Sequence, residues 1–361
     1  MDEIASLTRR LAAIPSHEDE ARAGDAIERW LRTETDASVT RDAVGNVLAV
    51  RGNGAVSIGL VGHHDVVAPD PKQRSGDEYH VTTRDGRIYG RGTADMKGAL
   101  AAAMQAFRDA DPEQELVFAS CVGEEVGGTG VRHAIDAGFD VDYAIVGEGS
   151  TNYSTDGVTD VVVAHRGRRE LEFEATGTSA HAGEPDAGEN AIYRACAAVD
   201  RIRAVDAPAT TVFDLPIRGS CAVTRIDGGA TRNVIPDTCS LVVDERTVPG
   251  DRIDYAPVDS IPGMTQTIVQ DLPPMKCVDR AFASRLRAAA ASIQSGQPEL
   301  VTKPHATDAG WLAEAGTVCV VCGPAEPGEA HTATESVSIP VLERCYRIYR
   351  AGTELTFDWV T

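Results

Sequence analysis

The sequence predicts an α/β protein interrupted by a smaller α+β domain, on three observations. NVLAV (46–50), SIGLVG (57–62), ELVFASCVG (115–123) and YAIVG (143–147) are almost wholly apolar and sit beside glycines. Runs apolar at every position suit strands buried on both faces of a parallel sheet. Between them lie segments with helical spacing of apolar side chains. Around residue 164 the character changes: RELEFEAT (169–176) alternates charged and apolar residues, as a strand with one wet face should. A chain of 361 residues also favours two domains over one.

Taken in order, residues 2–13 and 18–33 read as helices divided by Pro15-Ser16, with the acids of HEDE at the start of the second, where the helix dipole favours them. Helices at 95–109 and 129–137 alternate with the apolar strands. This β-α-β-α-β order implies right-handed crossovers. After strand 169–176 comes a helix at 189–204, with Ile192, Ala195, Cys196, Val199 and Ile202 along one stripe. Strands at 221–226 and 239–246, a weakly helical stretch at 250–260 and a strand at 265–271 complete a β-α-β-β-α-β, ferredoxin-like order. From about 273 the α/β character resumes with a helix at 279–294, a strand at 317–323 and a helix at 338–350. Residues 1–163 and 273–361 are therefore expected to form one domain, with 164–272 inserted into it.

Composition narrows the partners. Asp and Glu number 55 against 34 Lys and Arg, a formal charge of −21, and lysine supplies only 4 of those cations. Such a surface repels phosphate backbones and anionic leaflets, which argues against nucleic acid and membrane as partners. A lysine-poor anionic surface also suggests a salt-adapted protein. No run approaches the ~18 apolar residues of a membrane span. The opening MDEIASLTRRLAAIPSHEDE carries scattered charges and no apolar core of a secretory signal. The eight cysteines form no framework, and Cys319 and Cys322 lie three apart on a strand, pointing to opposite faces. A cytoplasmic protein with reduced cysteines is the expectation.

The side chains capable of chemistry cluster after strands. His63 and Asp65 follow the run ending at Gly62, Glu124 and Glu125 that ending at Gly123, and Glu148 that ending at Gly147. His331 lies in the loop after Gly323. Ligands of open α/β sheets bind beyond the carboxyl ends of the strands. A second His-x-acid pattern, His17-Glu18-Asp19, reads instead as a solvated helix start. Asp95, Glu124, Glu125 and Glu148 converging on one crevice require neutralising cations. Two zinc ions balance three carboxylates (Asp95, Glu125, Glu148) and one hydroxide, with His63 and His331 as neutral ligands, and leave Glu124 as general base. Mixed imidazole and carboxylate donors suit zinc better than magnesium or calcium. Asp65, two residues beyond His63, is placed to accept its second ring N–H.

GHHDVV (62–67), GRGTADMKGAL (90–100), GEEVGG (123–128), IVGEGS (145–150), GTSAHAGEPDAGENAI (177–192), RNVIPD (232–237) with VDERTVPGD (243–251), and GPAEPGEAHTATE (323–335) resemble, in order, the motifs of one family. It is the acetylornithine deacetylase, succinyl-diaminopimelate desuccinylase and carboxypeptidase G family of dinuclear zinc amidohydrolases. The resemblance implies a zinc-peptidase-like mixed sheet flanked by helices, with an inserted ferredoxin-like lid that serves for dimerisation, hence a homodimer. It implies that His63 and Glu148 bind one metal, Glu125 and His331 the other, that Asp95 bridges them by way of a cis Asp95–Met96 bond, and that Glu124 is the base. His181 matches a lid histidine that closes over the scissile carbonyl; Arg246 and Asn233 match residues that hold the substrate's α-carboxylate. The HRGRR run (165–169), Arg166 included, is the densest basic cluster, and reads either as a solvated edge of the lid or as a site that captures an anionic group.

The implied cofactors are two divalent ions, zinc with cobalt as a substitute, and the implied substrate is a small N-acyl amino acid of lysine or arginine biosynthesis. Glutamate at 148 resembles the deacylases more than the aminopeptidases. The arginine-rich lid favours a desuccinylase, followed by an acetylornithine deacetylase and a glutamate carboxypeptidase. A relative that removes amino acids from an acidic carrier protein fits less well. A homologue that binds without turnover is the reading from a different class.

Overall fold

The computed structural model describes residues 2–357. The chain divides into a first unit, built from residues up to Ala164, Met275–Lys303 and Thr307 onward, and a second, His165–Pro274 with Pro304–Ala306. Its main elements run α1 (Asp2–Ala13), α2 (Ala21–Glu34), β1 (Ser38–Arg41), β2 (Val47–Arg51), β3 (Ser57–His63), α3 (Gly98–Asp109), β4 (Glu115–Cys121), α4 (Thr129–Asp136), β5 (Tyr143–Val146) and β6 (Val161–His165). Then follow β7 (Gly167–Thr176), α5 (Ala191–Arg203), β8 (Ser220–Gly228), β9 (Thr238–Thr247) and β10 (Met264–Leu272). The chain returns through β11 (Met275–Lys276), α6 (Arg280–Ile293), β12 (Leu300–Lys303), α7 (Ala309–Glu314), β13 (Val318–Val321) and α8 (Ile339–Thr353).

In the first unit the strands form one sheet in the order β1-β2-β4-β3-β5-β13-β6-β11, with β12 on β6. The centre is parallel: β3 pairs β4 and β5, and β5 pairs β13. The flanks are antiparallel, through β1–β2, β2–β4 and β6–β13. The sheet is thus mixed. Three of the four all-apolar runs form the parallel centre they predict, whereas NVLAV (46–50), in β2, pairs antiparallel with both neighbours and is only partly buried. Register matters for the site: His63 lies opposite Cys121, and Val61 opposite Val146, so β3, β4 and β5 end at one edge. One face packs Val61, Val117, Ala119 and Val146 into a core with Leu312 and Cys319. On α3 every residue from Gly98 to Phe107 is buried, as a helix apolar on all sides must be, and it packs against α8 and β3.

The second unit is an antiparallel sheet in the order β8-β9-β7-β10, the arrangement expected of a ferredoxin-like order. Leu171, Phe173 and Ala175 of β7 and Leu241 and Val243 of β9 turn inward onto Ala191, Ala195, Ala198 and Ile202 of α5. Alternate residues of β7, including Glu172 and Glu174, are exposed, which is the period-two pattern of a half-buried strand. The second helix shrinks to one turn, Ala256–Asp259, and Pro262 and Gly263 follow within four residues, where a helix cannot continue.

Several elements escape the periodicity reading. β1, β6, β12, α7 and short ribbons between Arg74 and Tyr89 were not anticipated. The helix expected from 95 begins at Gly98, since Asp95 and Met96 are non-helical. No helix among the described residues is long and apolar enough to cross a membrane.

Candidate metal centre

Strand ends deliver most of the candidate residues. His63 is the last residue of β3, and Glu148 lies two residues beyond β5. Glu124 and Glu125 sit in the turn between β4 and α4. Gly130 lets α4 start tight behind that turn: its N–H donates to the Val122 carbonyl at 2.9 Å, and an added Cβ would lie 2.3 Å from that oxygen. Only glycine fits so close a backbone approach. Asp95 occupies the irregular turn 93–97 before α3, with Asp95–Met96 cis. His331 lies in the loop after β13 at φ 64°, a left-handed conformation uncommon outside glycine.

These side chains gather in two groups. His63, Glu124 and Glu148 form one and Asp95, Glu125 and His331 the other, each with candidate ligand atoms within 4.8 Å of one another. Asp95 faces both imidazoles. Its Oδ1 lies 3.1 Å from His63 Nε2 and its Oδ2 3.2 Å from His331 Nε2. His63 Nε2 is also 3.2 Å from Glu148 Oε1, and His331 Nε2 is 3.0 Å from Glu125 Oε1.

Asp65 organises the edge from behind. Its carboxylate accepts the N–H of Glu124 at 3.1 Å and of Glu125 at 3.0 Å, and its Oδ1 lies 3.2 Å from His63 Nδ1. A proton on Nδ1 leaves the Nε2 lone pair facing the cluster. An Asp65→Asn variant offers an amide N–H where an acceptor is needed. It is expected to lose about 10–100-fold in metal affinity or turnover, checked by metal titration and kcat/KM.

The electrostatics fit a divalent-ion site. Burial opposes a charged His63, yet hydrogen bonds to Asp65, Asp95 and Glu148 push its pKa well above the ordinary value. His331 is raised to about 10 by Asp95 and Glu125. Burial works against the Asp95 carboxylate, but His331 and His63 outweigh it and hold its pKa well below the usual range. The carboxylates thus demand positive charge at both Nε2 positions, which protons or metal ions can supply through the same donors. Nitrogen and oxygen donors in this mixture suit zinc. Glu124 moves the other way, pushed well above its ordinary pKa by burial and by Asp308, Glu148 and Asp95, as a proton-carrying group should be.

Two members of the site were not read from the sequence. Lys303 is buried, with Nζ 3.4 Å from Glu148 Oε2 and 2.9 Å from the Gly149 carbonyl. Asp308 is buried with Oδ2 unpartnered, and burial together with Asp65 and Glu148 raises its pKa to about 7. The charge balance drawn from the sequence omitted both. As isolated residues, Lys303 at the end of β12 and Asp308 just before α7, they give no signal.

The remaining candidates belong to the second unit. His181 pairs with Val234 in a two-residue ribbon, and the Ala182 N–H donates to the Asn233 carbonyl at 2.9 Å, so His181 and Asn233 are neighbours. Arg246 lies on the outer face of β9, held by Asp244 at 2.7 Å. In the HRGRR run, Arg168 pairs with Asp244 and Glu170, and Arg169 with Glu245. Arg166 sits half-buried between β6 and β7. The basic cluster is thus largely neutralised inside its own sheet, which weakens the expectation that it captures a polyanion.

Comparison with known proteins agrees with this architecture. The profile described as peptidase family M20/M25/M40 matches residues 59–353. An acetylornithine deacetylase of Myxococcus xanthus is 32% identical over 83% of this chain and 81% of its own length. A succinyl-diaminopimelate desuccinylase of Xanthomonas campestris is 28% identical, covering 86% and 87%. The aminopeptidase PepT of Bacillus cereus superposes with a TM-score of 0.81 at 20% identity, covering 98% of both chains, and carries the likeness of fold.

Proposed function

The chain belongs to peptidase family M20/M25/M40, a family of metal-dependent amidohydrolases, and from that premise we propose that it hydrolyses the amide bond of an N-acyl amino acid. The observation that carries the proposal is Asp95, one carboxylate presenting an oxygen to each of two imidazoles. His63 and Glu148 would hold one divalent ion, Glu125 and His331 a second, with Asp95 shared. Zinc is the proposed metal and cobalt its substitute. Such a pair of ions, when bound, polarises a carbonyl and eases the ionisation of water.

The chain's own residues do the rest. Glu124 takes a proton from the attacking water and returns it to the leaving amine nitrogen, work that suits a carboxyl raised toward the operating pH. Asp65 fixes the His63 tautomer. His181 is proposed to stabilise the carbonyl oxygen, Asn233 and Arg246 the α-carboxylate, and Arg166 a second anionic group. The second unit is proposed as a dimerisation surface of a cytoplasmic, salt-adapted homodimer.

Within this class we place an acetylornithine-type substrate first. The pairing of Arg168, Arg169 and Arg246 with acids of their own sheet leaves less charge for a succinyl group, and the acetylornithine deacetylase is the more similar relative quoted above. A desuccinylase is the second reading, supported by the relative that covers 86% of the chain. The test is a hydrolysis panel of N-acetylornithine, N-succinyl-diaminopimelate, N-acetyl-lysine and a glutamyl-terminated peptide, with Zn²⁺ or Co²⁺, in dilute and multimolar KCl. N-acetylornithine is expected to be cleaved fastest, with turnover rising with KCl. Cleavage of none would favour a homologue that binds without turnover.

A further inference from the structure

We propose that Glu335 is the positioning residue for Asp95, holding it through the backbone so that its carboxylate spans the two imidazoles. This rests on the two-metal reading above. Asp95 and Met96 depart from helical geometry, so the helix that follows does not fix the Asp95 peptide. Glu335 does: its Oε1 accepts the N–H of Ala94 at 3.0 Å and of Asp95 at 3.1 Å. Its other oxygen pairs with Arg91, and both side chains are almost wholly buried.

The support is itself anchored. The Glu335 carbonyl accepts the Gly90 N–H at 3.0 Å, and Ser336–Ser338 pair antiparallel with Arg87–Tyr89. Arg87 ties Glu326 at 3.0 Å, Glu329 at 2.9 Å and the Ser336 hydroxyl at 2.9 Å. One short stretch, 331–335, therefore grips Asp95 at both ends: His331 Nε2 is 3.2 Å from its carboxylate, and Glu335 is at its amide. A buried ion pair is weak evidence of a stabilising role; here the second oxygen of the carboxylate has two peptide N–H groups to aim. Because Asp95 faces both imidazoles, loosening it weakens both ion sites together.

The test is calorimetric titration of metal-free protein with Co²⁺ for wild type, Glu335→Asp and Glu335→Gln, with circular dichroism as the check on folding. Wild type is expected to bind two equivalents; fewer would overturn the two-metal reading itself. Glu335→Asp keeps the charge facing Arg91 but is one methylene too short to meet both amides. Both equivalents are expected to weaken together by about 10-fold or more. Glu335→Gln has one acceptor oxygen for donors on both sides, the two peptide N–H groups and Arg91, so its amide NH2 must face a donor, and both equivalents are expected to weaken together by about 10-fold or more. Wild-type affinity in either variant, or weakening of only one equivalent, would overturn the proposal. Without any variant, the Ala94 and Asp95 amides of metal-free wild type are expected to resist hydrogen exchange, and rapid exchange would also overturn it.

Discussion

A Glu124→Gln variant is expected to retain both metal equivalents and to lose about 10²–10⁴-fold in kcat, the range that a positioned acid–base group contributes. Glutamine keeps the size of the side chain and removes its capacity to accept and return a proton. The surroundings that push Glu124 well above its ordinary pKa, burial and the acids Asp308, Glu148 and Asp95, favour transfer over permanent charge. Elemental analysis alongside kcat decides the role. Glu124 also has a carboxylate oxygen within 4.8 Å of donor atoms of His63 and Glu148, so loss of one metal equivalent in the variant would make it a ligand and not the base.

Asp95→Ala is expected to have the larger effect. Its carboxylate faces both imidazoles, so removal should empty both ion sites and bring hydrolysis to background. The lost contribution of the ions is several kcal/mol, at least about 10³-fold in rate. His331→Ala should instead release one equivalent and leave the His63 side loaded. Retention of two equivalents by Asp95→Ala, measured on protein dialysed against chelator and reloaded, would contradict the shared arrangement.

The sheet's centre was legible because β3, β4 and β5 are buried on both faces, and a fully apolar run bounded by turns announces that burial. The β1 edge was not. β1 is four residues with one buried position, too short to show a period, whereas β6, VVVAH and buried at every position, carries the same apolar signal as the centre. Residues 95–97 read as the start of the helix 95–109, since their types suit one; Glu335, 240 positions away, takes the Asp95 amide, and long-range hydrogen bonds have no local signature. The same reason hid Lys303 and Asp308. A lone buried cation or acid looks like any surface charge until the fold shows what it meets. Strand ends, by contrast, point to a place, and that is why His63, Glu124, Glu125 and Glu148 could be singled out before their neighbours were known.

The chain leaves the first unit at β6 and returns at β11, which are adjacent in its sheet, and the Cys277 N–H donates to the Val163 carbonyl at 2.7 Å. That stitch closes the longer excursion at its base, and a second, Pro304–Ala306, leaves from the end of β12. Heat or denaturant is expected to act on two cooperative bodies, and one midpoint or one free energy would describe neither of them. Calorimetric and van't Hoff enthalpies would disagree for the intact chain, and the endotherm would resolve into two components.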